Sequence, residues 1–435
     1  MFESARSLLC SSFRSLSSSK LQRFSRRIPV LAAVVCLLAV PALATPPPTN
    51  FWTVNTLIDD PNTANGANCQ AGSGTSCSLR DAITAASADS GDTINFQSGL
   101  TGTITLTGAP PFTQASMTIT GPGANQITVS GNGSYHVFMI FSGTVNISGL
   151  TIANGNDGGG AGAGIMNFGT LTVTSCTFTG NHASYGGGAI ANDGTLVVND
   201  STFSGNYGYY GGGAIANLYG TSSGPITVIN STFFGNTTSG AGSAIDQQGG
   251  PITVINSTFS GNFGGAITNE GGSLTIANSI VSGNSGGDVN NGYTDNGGNL
   301  IGGSANLAPL GNYGGTTQTM LPLAGSPATC AGLAANLPPG NTDQRSWPAT
   351  PSTCPFGPNG QEVDAGAVQT NYRTVNTLGD TSNTSDLTSC SDGTESATNT
   401  CSLRDALTQA NTATMADVAF APSLFLVGTS SVPTL

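Results

Sequence analysis

Basic residues are nearly missing from this sequence. Of its 435 residues only ten are Lys or Arg, and six of these precede residue 45, leaving four Arg, no Lys and 21 acids in the remainder. From Asp81 to Gln344 there is no Lys or Arg, while eleven Asp and Glu fall in the same span. Such a chain repels polyanions, which excludes nucleic acid as a partner held by charge. Charged residues are also scarce, at 7%, so the chain is no polyelectrolyte tail, and its 37% apolar share is too high for disorder. His136 and His182 are the only histidines, which leaves little material for a histidine metal centre or proton relay.

Long apolar runs are missing too, with one exception at residues 28–41. Arg23, Arg26 and Arg27 precede it and Ala42-Leu43-Ala44 follows it. The order basic, apolar, small-x-small reads as a secretory signal peptide cleaved after Ala44. The run has 14 residues, whereas a helix needs about 20 to cross a bilayer. A retained anchor is the alternative.

Seven cysteines follow residue 44, and six form sequence-near pairs: Cys69 with Cys77, Cys330 with Cys354, and Cys390 with Cys401. Export would allow local disulfides, although spacing does not fix connectivity. Cys176 sits where other repeats carry Asp200 or Ser, and it reads as a small buried filler rather than a reactive thiol.

What the sequence has in abundance is glycine, 62 residues of it, and self-similarity. Five stretches repeat: 171–181 (LTVTSCTFTGN), 196–206 (LVVNDSTFSGN), 226–236 (ITVINSTFFGN), 252–262 (ITVINSTFSGN) and 274–284 (LTIANSIVSGN). Their starts are 25, 30, 26 and 22 residues apart, and a weaker copy at 145–154 precedes them by 26. A period of this size marks one supersecondary unit stacked on the next. Within each copy apolar and Thr, Ser or Asn residues alternate before a Gly-Asn corner, the pattern of strand, corner and strand. A second column runs between the copies at 164–167 (GIMN), 188–192 (GAIAN), 213–217 (GAIAN), 243–247 (SAIDQ) and 265–269 (GAITN).

Three short strands per coil, with no helices between them, predict a β-solenoid in which each coil pairs with its neighbours. Like residues then stack on like. Phe178, Phe203, Phe233 and Phe259 should form an interior aromatic column continued by Val281. Asn181, Asn206, Asn236, Asn262 and Asn284 should form an amide ladder at a corner where Asn accepts left-handed backbone. The sequons at Asn230 and Asn256 follow from the repeat and carry little weight as glycosylation sites. The raw end of the stack needs a cap. Residues 77–86 (CSLRDAITAA) offer a short helix whose Ser78 and Asp81 match a capping box.

The CSLRDA element, with Thr53-Val54-Asn55-Thr56-Leu57 before it, resembles the CSLREA-type N-terminal module of secreted bacterial β-helix proteins, with Asp81 in place of that family's Glu. The GGGAI and Phe178-Thr179-Gly180-Asn181 elements resemble polymorphic outer-membrane protein repeats. The motifs at 298–303, 310–315, 318–327, 342–345 and 363–367 resemble the region called choice-of-anchor Q. Thr374-Val375-Asn376-Thr377-Leu378 and Cys401-Ser402-Leu403-Arg404-Asp405-Ala406 repeat the N-terminal module. The resemblance implies an all-β, right-handed parallel β-helix of the pectin-lyase-like kind, with a short N-terminal capping helix and an exported, surface-associated life. The expected division is a signal peptide at 1–44, the N-terminal module and cap at 45–100, coils at 101–303, the anchor-like region at 304–371 and a partial second module at 372–435.

Lyases of this fold, by resemblance, use a basic residue and Ca²⁺ or Arg, and the cation-free span lacks both base and clamp. A glycosidase needs two carboxyl groups about 5 to 9.5 Å apart. Asp193 and Glu270 share a column but stand three coils, or about 14 Å, apart at ~4.8 Å per coil. Asp200 replaces Asn230, Asn256 and Asn278 in their column, and Asp246 stands alone among Met166, Ala191, Ala216 and Thr268. Asp157, Asp288 and Asp295 occupy irregular segments and could approach one another or a Ca²⁺ ion, but none sits in a calcium-loop pattern, so no cofactor or metal is expected. The remaining candidates are Tyr185, Tyr207, Tyr209 and Tyr210, a contact cluster on Gly-rich corners. The expected role is structural, adhesive or glycan-binding, directed at a cell-surface or extracellular component and non-catalytic. Membrane association would need an anchor. The alternative is a carbohydrate-active enzyme, a polysaccharide lyase or glycoside hydrolase that uses loop carboxylates.

Overall fold

The computed structural model describes residues 50–61, 65–69, 76–156, 158–218, 223–323, 325–349 and 362–370, together with the strands Tyr372–Val375 and Asp417–Phe420. Residues 1–44, Asp157, Cys354, Cys390 and Cys401 lie outside the described residues.

Period-two alternation sends Leu171 and Val173, then Phe178, then Ile190 to the inside of one coil, and every one of them is fully buried. A lone coil cannot satisfy its own backbone, so coils stack and pair in parallel. The result is a β-solenoid of three long sheets. Sheet A has ten strands, from Phe51–Val54 to Thr294–Asp295. Sheet B has nine, from Gly102–Thr105 to Leu300–Ile301, and sheet C has eight, from Phe112–Thr113 to Val289–Asn290. A short fourth sheet links His182–Ala183, Tyr207–Gly208 and Thr237–Thr238.

Register is held by side-chain ladders. Phe178, Phe203, Phe233 and Phe259 stack face to face, with centroids 4.6, 4.6 and 4.5 Å apart, and Val281 pairs next. Each buried ring pair is worth about 0.5–1.5 kcal/mol beyond its area. Asn181, Asn206, Asn236, Asn262 and Asn284 form the amide ladder. Each Nδ2 donates to the next Oδ1 at 2.9–3.0 Å and also to a strand carbonyl such as Phe203 O for Asn236. The Asp288 carboxylate ends the file by accepting from Asn284 Nδ2 at 2.8 Å.

The left-handed residue at this corner is the preceding glycine, as at Gly180 (φ 63°), and not the ladder Asn. Asn154 (φ 50°) takes the glycine position in the weaker copy, so Gly155 stands where the ladder amide would be and donates its N–H to Asn181 Oδ1. Left-handed asparagines occur instead at the corner from sheet A to sheet B: Asn230 (φ 49°), Asn256 (φ 46°) and Asn278 (φ 47°), with Asp200 (φ 51°) and Ser175 (φ 52°) above them. Cys176 therefore aligns with Ser201 and not with Asp200. Its N–H donates to Ser201 Oγ at 3.1 Å and begins a hydroxyl ladder through Ser231, Ser257 and Ser279. Burial pushes the Cys176 thiol up to about 11, which makes it an inert filler. Asn230 and Asn256 are buried as well.

The helix Leu79–Ala86 closes the first end of the core. Ser78 and Asp81 form a complete capping box, and Asp81 also accepts from Asn65 N at 2.6 Å. The disulfide Cys69–Cys77 and the buried pair Arg80–Asp59, at 2.7 Å, hold the segment around it. Cys330 is also disulfide-bonded.

Residues 305–323, 325–349 and 362–370 lie along the seam between sheets A and B. Thr317 Oγ1 donates to Asp200 O at 2.9 Å, Thr232 Oγ1 donates to Gln344 Oε1 at 2.6 Å, and Ala367 N donates to Thr258 Oγ1 at 3.0 Å. Asn278 exchanges two 2.8 Å bonds with Leu333. A buried Asp343–Arg345 pair and the Arg345–Trp347 ring contact brace this segment internally. Further on, Tyr372–Val375 pairs in parallel with Asp417–Phe420, as Phe51–Val54 does with Asp92–Phe96.

Replacing Asn236 with Ala deletes two buried donations and orphans the Asn206 N–H, so urea denaturation should show a loss of about 3 kcal/mol or more. Thr227→Ala, on an outer face, should stay within about 0.5 kcal/mol.

Candidate binding surface

In sheet C the central residue of each strand points outward, which builds the column Met166, Ala191, Ala216, Asp246 and Thr268. Gly-rich corners fold over this column. A Cβ on Gly187 or Gly212 would lie within 2.7 Å of the backbone of Ala191 or Ala216. The glycines are required because the corner runs so close to the strands, and Gly187 and Gly212 are also left-handed. Corner backbone thus covers the column, and side chains at the corner tips are left free to face outward.

At those tips stand Tyr185, Tyr209 and Tyr210, exposed to 54, 49 and 58%. Tyr210 packs against Tyr185 at 5.0 Å and edge-on against Tyr209 at 4.8 Å. The bond from Tyr210 N to Tyr185 O, 2.7 Å, locks one corner onto the next. Tyr207 does not join this patch. It stacks on His182 at 4.5 Å along the short fourth sheet and hydrogen-bonds Ser239 at 2.9 Å. His136 lies elsewhere, with Nδ1 2.8 Å from Gly162 O.

Beneath the corner that carries Tyr209 and Tyr210 lies Asp246, only 1% exposed. Its Oδ2 accepts from Gln248 Nε2 at 2.7 Å, its Oδ1 has no partner, and a Cβ on Gly211 would fall 2.0 Å from Oδ2. Burial pushes this carboxyl up to about 7; the Gln248 bond opposes the shift and the charge of Glu270, one coil on, adds to it. Asp246 is the one acid of its column, and Glu270, outside the column, is near enough to act on it electrostatically. Burial also pushes Asp200 up to about 6, opposed by the Asn230 bond and assisted by Asp343.

Of the other candidate acids, Asp288 and Asp295 are placed as structural acceptors. Asp288 terminates the amide ladder, and Asp295 accepts from Gly297 N and Asn299 Nδ2 at 2.8 and 2.6 Å. Burial raises Asp364, which nonetheless accepts from Cys330 N and Thr370 N inside the C-terminal segment. Among the described residues no group of three or more His, Cys, Asp or Glu is placed to hold a metal ion.

Sequence reasoning passed over a second aromatic feature. Phe112, Phe141 and Phe168, exposed to 56, 43 and 43%, line the sheet C side of earlier coils, with centroids 5.9 and 6.1 Å apart. The signal was available: Phe141 and Phe168 each follow directly on a sheet C strand.

Residues 118–285 match a family model described as right handed beta helix region. With three stacked parallel sheets, the fold is a right-handed parallel β-helix. No curated protein and no solved structure matches the chain.

A carboxyl raised from 3.8 to about 7 is protonated in the folded chain and ionised in the unfolded chain between those values. Asp246 therefore favours the fold below about pH 4, and this contribution declines as pH rises toward 7. Asp246→Asn should remove that decline, by an amount on the order of 3 kcal/mol, in denaturation midpoints compared between pH 4 and pH 8.

Proposed function

We propose that this chain is an exported, surface-associated β-helix protein that binds a neutral glycan or a similar uncharged component of a cell surface, and that it turns over no substrate. The observation that carries this reading is the patch of Tyr185, Tyr209 and Tyr210, three half-exposed rings in mutual contact on a backbone frame that covers the column beneath without them. Rings held in this way lose little conformational entropy on binding, which suits them as anchors. The shortage of cations supports an uncharged partner over a polyanion. Export is supported by the basic, apolar, small-x-small order before residue 45 and by the resemblance of the CSLRDA element to secreted β-helix modules. In this reading the choice-of-anchor Q-like motifs shape the segment that lies along the A–B seam.

A second reading, a glycoside hydrolase, draws on one observation: a carboxyl raised to about 7 beside another acid, Glu270. Against it, Asp246 is sealed under the Gly211 corner at 1% exposure, out of a substrate's reach in this conformation.

The test pairs a glycan-binding screen with a degradation screen on the full chain. Replacing Tyr185, Tyr209 and Tyr210 with Ser should weaken glycan binding about a hundredfold if each ring contributes ~1 kcal/mol. Unchanged binding by the folded triple variant would remove the site. New reducing ends or lyase-type ultraviolet absorbance, abolished by Asp246→Asn or Glu270→Gln, would establish the enzyme instead.

A further inference from the structure

The three sheets differ in what covers their outer faces. The C-terminal segment buries Thr202, Thr232 and Thr258 on sheet B, and Gly-rich corners bury Ala191, Ala216 and Asp246 on sheet C. On sheet A the central outward side chains are half-buried or exposed from the first strand to the last, and of the flanking ones only Ala277 is buried.

Those side chains form a lattice. The central outward position is Thr on seven of ten strands, from Thr93 to Thr294, and Phe51, Asn146 and Val197 fill the other three. Thr170 and Thr174 flank Thr172 on the same strand, and Thr144 and Ser148 flank Asn146 on the strand before. No charge stands in the central column, and none stands in the flanking columns between residues 93 and 275.

Hydroxyls in such a column recur every ~4.8 Å along the solenoid and every ~6.6 Å along a strand. Two oxygens that share one tetrahedral water, each at about 2.75 Å, lie ~4.5 Å apart. The two repeats differ by only ~0.3 Å per rung, so the four successive rungs Thr227, Thr253, Thr275 and Thr294 stay within about 1.5 Å of one file of lattice water. Threonine methyls between the hydroxyls exclude the disordered water that would compete. The ladders inside the coils fix the array in advance, which lowers the cost of ordering it on binding. A mineral would need charge to hold it, and the column has one aromatic ring, Phe51 at its end, on which a sugar could stack.

We propose that the outer face of sheet A binds ice, with Thr227, Thr253, Thr275 and Thr294, successive rungs of the central column, ordering the first layer of lattice water. This surface is separate from the tyrosine patch, and either reading can fail without the other.

The experiment is incorporation of the full chain into slowly growing ice, with crystal shape followed by microscopy. The chain should enter the ice and facet the crystals. The double variant Thr227→Lys/Thr275→Lys should fall about tenfold in incorporation, because it places unpaired ammonium groups at the contact. Tyr209→Ser/Tyr210→Ser should incorporate as the parent does. If the double variant does not keep the parent's circular dichroism and melting profile, Thr253→Tyr alone, which lifts the face off a planar lattice, should lower incorporation. Exclusion of the parent chain from ice would overturn the proposal, as would unchanged incorporation of the folded double variant. So would retention on an insoluble neutral polysaccharide without entry into ice, or a dimer in sedimentation velocity that Thr227→Lys dissociates.

Discussion

Everything in this solenoid depends on the requirement that each coil lie on its predecessor in unbroken register. Parallel pairing between coils satisfies backbone groups that one coil leaves open, and the pairing holds only where side chains of matching size and polarity meet. A slip of one residue would turn the Phe column outward and break the amide ladder. The ladder Asn contributes twice, bonding the next amide and a strand carbonyl, so register and corner geometry are enforced together. Variation is pushed to the corners. The coil that begins at Leu196 is 30 residues long, yet Leu196 still pairs with Ile226, because the extra residues fall between Asn217 and Ile226.

Two of the few cations are used where stacking cannot help. Arg80 and Arg345 lie at the helix cap and in the C-terminal segment, and both are in buried pairs with Asp that also accept or donate further hydrogen bonds. Removing one partner of such a pair strands a charge, so these pairs hold irregular segments in one arrangement more than they add net stability. The body of the solenoid needs none of them, because amides, hydroxyls and glycines carry its polar contacts. This makes a long uncharged surface available on sheet A, and it lets the tyrosine corner present rings without a competing field.

Much of this was legible from residue spacing. The Phe column, the Asn ladder, the capping box of Ser78 and Asp81 and the Cys69–Cys77 bridge follow from motifs that repeat or sit close in sequence. The errors were small shifts: the left-handed residue is Gly180 and not Asn181, and Cys176 aligns with Ser201. Both arise because a corner admits two neighbouring assignments until backbone angles are known. The candidate site was less legible. Three of the four tyrosines meet, while Tyr207 turns to His182. Asp246 was recognisable as an acid in a column of small residues, but nothing in its neighbours announced the Gly211 corner above it.

By itself the sequence determined the coil, because a period of about 25 residues with internal period two admits one way to bury its apolar face and pair its backbone. Only the tertiary structure decided what covers each face. The Gly-rich corners folded onto sheet C, the C-terminal segment lay down on sheet B from more than a hundred residues away, and sheet A was left open. Those outcomes rest on contacts between segments with no shared period, where the fit of a glycine over an Asp or a Gln between threonines is settled by space and not by pattern.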